Sequence, residues 1–74
     1  MTKEDFLKNI PDFIVHKTWG YAELEIMEDT ATTKSVCYRH KNNTSSFGTY
    51  ASTWSELHHQ LHAALLKQGY IDNQ

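Results

Sequence analysis

The chain has one cysteine, one proline and three glycines in 74 residues, and each scarcity excludes something. A lone Cys37 leaves no intramolecular disulfide to staple the fold and no zinc site built from cysteine alone. A single thiol fits a reducing compartment, so a cytoplasmic protein is expected. Gly20, Gly48 and Gly69 stand far apart, and no glycine-rich loop of the phosphate-cradling kind exists. No apolar run nears the roughly 20 residues of a membrane span. The opening Met1-Thr2-Lys3-Glu4-Asp5 also lacks the apolar core of a secretory signal. No membrane association is expected.

Charge of one sign is lacking too. Seven Lys and Arg stand against nine Asp and Glu, a formal charge of −2, with five histidines beside them. That balance argues against a nucleic-acid binder driven by phosphate attraction. Protonating all five histidines would turn −2 into +3, so the sign of the charge depends on acid.

What remains is the composition of a folded chain, 39% hydrophobic and 22% charged, without the signature of disorder. Three Phe, two Trp and four Tyr give a short chain large apolar areas to bury. A chain of about 60 residues buries only about 60% of its unfolded surface. The core is therefore modest, and one domain is all that fits. A deep cleft for a cofactor or a small-molecule substrate is not expected.

Along the chain, Thr2 and Asp5 have capping-box spacing. Phe6, Leu7 and Ile10 share a helical face, and Pro11 ends the run. Residues 12–27 read as extended, with Gly20 between Trp19 and Tyr21 at a bulge or a reversal; one bent strand and two paired strands both fit. Ala22, Leu24 and Ile26 alternate with Glu23 and Glu25, the pattern of a half-buried strand. Val36 and Tyr38 alternate with Cys37, Arg39 and Lys41 in the same way, so the outward charges of the two runs complement each other across a hairpin. Cys37 is expected as a neutral sheet residue facing Met27. The cluster Asn42-Asn43-Thr44-Ser45-Ser46 predicts a turn, and Phe47–Ala51 a returning strand. Thr53 and Glu56 then open a helix that Gly69 closes, with Trp54, Leu57, Leu61, Ala64 and Leu65 as its apolar stripe. The fold class expected is α+β. It has an antiparallel sheet of two to four strands, a long C-terminal helix packed on one face and a short N-terminal helix.

The α-β-β-β-α order resembles the element order of double-stranded RNA-binding domains. That family carries a basic cluster at the start of its second helix, where this chain reads Thr53-Trp54-Ser55-Glu56. The resemblance covers element order alone, and RNA binding is not carried over.

Chemistry-bearing residues are few. His58 and His62 lie one helical turn apart, a spacing that chelates zinc when further ligands join. The zinc-protease pattern needs Glu directly after the first His, and His59 stands there. His40 shares the core parity of Tyr38 and is the next candidate ligand. The plainer reading of all three is a polar helix flank and a strand end. Cys37 and His40, three apart on a strand, point to opposite faces, so a thiol–imidazole nucleophile is not expected. A single-strand nucleic-acid surface around Arg39 and Lys41 is weaker than their pairing with Glu23 and Glu25.

No active-site constellation is present. The expectation is a noncatalytic protein-interaction module without a cofactor, possessing a protein partner or a second copy of itself, and acting as a regulator or inhibitor of a larger complex. A metal- or pH-responsive protein using the helix histidines is the alternative. Two surfaces are candidates: the strip His59, His62 and Leu66 on the helix, and the outer sheet face with Trp19, Tyr21, Glu23, Glu25, Arg39 and Lys41.

Overall fold

In the computed structural model, which describes residues 1–40 and 46–71, residues 12–27 divide into two strands. β1 spans Phe13–His16 and β2 spans Gly20–Asp29, paired antiparallel with His16 opposite Gly20. Gly20 makes the reversal possible, because its φ of +82° lies in the left-handed region that side chains rarely adopt. β3 (Lys34–His40) and β4 (Ser46–Ala51) complete a curled antiparallel sheet of order β1-β2-β3-β4. With helices α1 (Lys3–Lys8) and α2 (Trp54–Gln68) the order is α-β-β-β-β-α, one strand beyond the double-stranded RNA-binding arrangement. The predicted turn at residues 42–46 falls, up to Ser45, outside the described residues.

Both helix starts form as their capping residues dictate. Thr2 Oγ1 accepts from the Asp5 amide at 3.1 Å, and Asp5 Oδ2 accepts in return from the Thr2 amide at 3.3 Å. Thr53 Oγ1 accepts from the Glu56 amide at 3.1 Å. Gly69, left-handed at φ +82°, turns the chain out of α2 and satisfies the Leu66 carbonyl. Six residues of α1 are too few to hold a helix in water; docking holds this one.

The core lies between one sheet face and the two helices. Ile14, Ala22, Val36, Tyr38 and Ala51 come from the strands, Phe6 and Ile10 from the N-terminal segment, and Trp54, Leu57, Leu61 and Leu65 from α2. The expected parity holds: Leu24 pairs with Tyr38 and Ile26 with Val36, all toward the helices. Ala64 and Leu7 are exceptions to the predicted stripes, being half-buried and exposed respectively, because each lies at the edge of its apolar face.

Tyr38 is a core side chain with a polar tip. It is fully buried, and its hydroxyl donates to the Pro11 carbonyl at 2.7 Å, so the desolvated group is satisfied. Burial, reinforced by the Asp12 carboxylate, pushes its phenol well above the ordinary value of 10.0. A phenol raised on folding contributes stability that is complete below pH 10 and is lost as pH climbs through the unfolded value toward the folded one. Urea midpoints should therefore fall steeply above pH 10 in the native chain. Tyr38→Phe should flatten that decline, at a cost near neutral pH of about 1 kcal/mol for the lost hydrogen bond. An equally steep alkaline decline in the variant would count against this assignment.

Candidate functional site

Among the described residues the sheet is covered on one face, and its other face is where the exposed apolar side chains gather. Phe13 and Val15 flank the buried Ile14 on β1, so the strand period sends them outward. Phe13 stands opposite Glu23 and Val15 opposite Tyr21. The rings of Phe13 and Tyr21 stack at 5.2 Å. Across the sheet, Tyr50 on β4 is 72% exposed and pairs with Ser35. Met27 occupies a bulge, created where the β2–β3 register shifts between Ile26 and Glu28. Among the described residues, five of the seven exposed large apolar side chains, Phe13, Val15, Tyr21, Met27 and Tyr50, belong to this face or its bulge. Scattered single exposures are ordinary; several on one sheet face make it a candidate contact surface.

Two shallow depressions mark the same face. One, of about 370 Å³, is lined by Tyr21, Glu23, Glu25 and Arg39. The other, of about 410 Å³, includes Met27, Cys37, Gly48 and Tyr50. Arg39 borders both. Its Nε meets Glu25 Oε2 at 3.3 Å, with both side chains about half exposed, so the pair contributes on the order of 0.2–1 kcal/mol. Glu23, directly opposite Arg39 in the register, instead acts on the Tyr21 phenol. The Tyr21 phenol is shifted upward by partial desolvation among its neighbours, then by Glu23 and Asp12.

Cys37 lies on this face yet is buried. Its cross-strand partners are Glu25 and Gly48 rather than Met27, which stands in the bulge and shares only the depression. Burial pushes the Cys37 thiol up, Arg39 opposes that, and Glu25 adds to it. A thiol held protonated is a weak nucleophile.

Trp19 does not join the outer face. The β1–β2 turn carries it to the core side, where it stacks on His16 with ring centroids 3.6 Å apart and planes within 7°. His16 Nδ1 accepts from the Thr18 amide at 3.1 Å and the Trp19 amide at 3.5 Å, which pins the turn and sets the proton on Nε2. Tyr70, beyond α2, lies 5.7 Å from the His16 ring. The expected surface therefore loses Trp19 and keeps Tyr21, Glu23, Glu25 and Arg39. Lys41 lies outside the described residues.

The helix strip is less of a surface than its pattern predicts. His59 is exposed, but His62 and Leu66 are half-buried. His58 and His62 do meet, with rings stacked at 5.5 Å. His58 is occupied, however: its Nε2 stands 3.2 Å from the Asn9 carbonyl, a contact made as a donor, and its ring meets the edge of Phe6 at 6.3 Å. It ties the end of α1 to α2, and zinc would have to break that tie. Among the described residues no three His, Cys, Asp or Glu side chains form a metal-holding group. His40 pairs with Ala22 at the end of β3.

Phe13, Val15, Met27 and Tyr50 belong to neither of the two candidate partner surfaces expected from the sequence. For Phe13 and Val15 the sequence holds no local signal, since the tertiary structure is what turns Ile14 inward and its neighbours outward. No helix among the described residues is long and apolar enough to cross a membrane. Comparisons with family models, with curated proteins and with solved structures find no match.

Proposed function

We propose that this chain is a small noncatalytic protein-interaction module, of regulator or inhibitor type, that binds through the open face of its sheet. The observation that carries this reading is the collection of five exposed large apolar side chains on the sheet face opposite the helices. Interface cores favour aromatic residues and Met, and Phe13, Tyr21, Tyr50 and Met27 supply both. The helix strip is the rival surface, and its apolar member Leu66 is already half-buried.

The test compares three tagged chains as bait in native lysate: the wild type, Tyr21→Glu with Tyr50→Glu, and Leu66→Glu. Both tyrosines are more than half exposed, so circular dichroism should show all three folded. A partner retained by the wild type and by Leu66→Glu, and lost by the double variant, is the expected result. Retention by the double variant with loss by Leu66→Glu would transfer the function to the helix.

A further inference from the structure

The open face has a sign as well as an apolar character. Glu23 and Glu25 stand in its centre, and Glu28 lies across from Ser35, itself the partner of Tyr50. Against these three carboxylates the described strands set one outward cation, Arg39, whose guanidinium is already engaged by Glu25. Among the described residues no cation lies within ion-pair distance of Glu23. Asp12 adds to the field, being near enough to act on the Tyr21 phenol.

Resting on the reading of this face as the binding surface, we infer that its partner is a protein segment presenting a lysine or arginine flanked by apolar residues. The cationic head seats in the 370 Å³ depression, with the Glu23 carboxylate on one side and the Tyr21 ring beside it. A cation over an aromatic face is attracted by the ring quadrupole, and Tyr21 is already braced by its stack on Phe13. The apolar flanks of the segment then cover Phe13 and Val15 on one side and Met27 and Tyr50 on the other.

Charge decides among the occupants. Among the described residues, with Glu25 and Arg39 paired to each other, a second copy of this chain would bring Glu23 and Glu28 onto the same two carboxylates, and like charges so juxtaposed suppress pairing. Nucleic acid and anionic lipid are repelled by the same carboxylates. A basic, partly apolar segment is the one class that gains from both features.

The test is a titration of the ¹⁵N-labelled full chain at low salt with three acetylated, amidated peptides, Val-Thr-Val-X-Val-Thr-Val, where X is Arg, Gln or Glu. The Arg peptide should shift the amides of Tyr21, Glu23, Glu25 and Arg39. It should bind about tenfold more tightly than the Glu peptide, the ratio that corresponds to one favourable against one unfavourable charge contact at a half-exposed site. Glu23→Gln should shrink that ratio by about threefold, and added salt should do the same. Equal binding by all three peptides, or no shift at these amides with the Arg peptide, overturns the basic-partner inference. The surface itself is judged separately, by whether partner capture survives Tyr21→Glu with Tyr50→Glu, so the two failures are distinguishable.

Discussion

Gly48→Ala should remove a third or more of the chain's stability, although it adds a single methyl group. A Cβ at Gly48 would strike the Val36 carbonyl oxygen first, and would lie 2.6 Å from Cys37 Cα and 2.7 Å from Cys37 Cβ. Two of these three atoms are backbone, so no rotamer change relieves the clash; β4 must move away from β3. Overpacking of this kind costs typically 1–3 kcal/mol and occasionally more, and the backbone contacts place this substitution at or above the upper figure. A chain of this length has roughly 4–11 kcal/mol to lose, at 0.05–0.15 kcal/mol per residue. The urea midpoint should fall by a third or more, and the pairs Val36–Thr49 and Cys37–Gly48 should lose amide-exchange protection before those of β1–β2. A midpoint within error of the wild type would show that the two strands are not as close as described. The consequence is functional too, because Gly48 and Cys37 line the second depression on the open face.

Phe6→Ala is the second large effect expected, and it tests how α1 is held. Phe6 is fully buried, with its ring 5.1 Å from Trp54 and 6.3 Å from His58. Truncating a buried Phe costs about 3–5 kcal/mol in lost transfer energy and residual cavity. α1 has no other means of staying helical, so its capping box and the His58–Asn9 contact should fail together with the packing. The expected result is a large drop in urea midpoint, altered near-ultraviolet dichroism from Trp54, and new proteolytic cleavage before Pro11. A loss below about 1 kcal/mol would mean that α1 is an appendage. The capture experiment then separates stability from binding, since Phe6 belongs to the covered side of the sheet and contributes nothing to the open one.

The ion pairs have a smaller role. Lys34 meets Asp29 at 3.3 Å and Lys3 approaches it at 4.0 Å, near the start of α2, where Lys34 also lies 5.8 Å from the Trp54 ring. Exposed pairs of this kind contribute about 0–1 kcal/mol each. Their effect is to place positive charge on the helix side, while among the described residues the open face sets Glu23, Glu25 and Glu28 against Arg39.

The local features of this protein were legible in its sequence because they depend on neighbours only a few residues apart. Strand period put Ala22, Leu24, Ile26, Val36 and Tyr38 on one side and Glu23, Glu25 and Arg39 on the other, and hairpin pairing followed. Thr2, Thr53 and Gly69 marked helix ends for equally local reasons of hydrogen bonding and φ. Where period carried no information, the sequence was silent: in Phe13-Ile14-Val15 all three residues are apolar, so nothing local says which one faces the core. Tertiary structure decided that Ile14 goes inward and that Trp19 swings round onto His16. It also decided that His58 closes on Asn9 and that β4 approaches β3 closely enough to require Gly48. The open face is of the same kind. Its five apolar side chains come from three strands and a bulge, and they become one surface only because both helices cover the other side of the sheet.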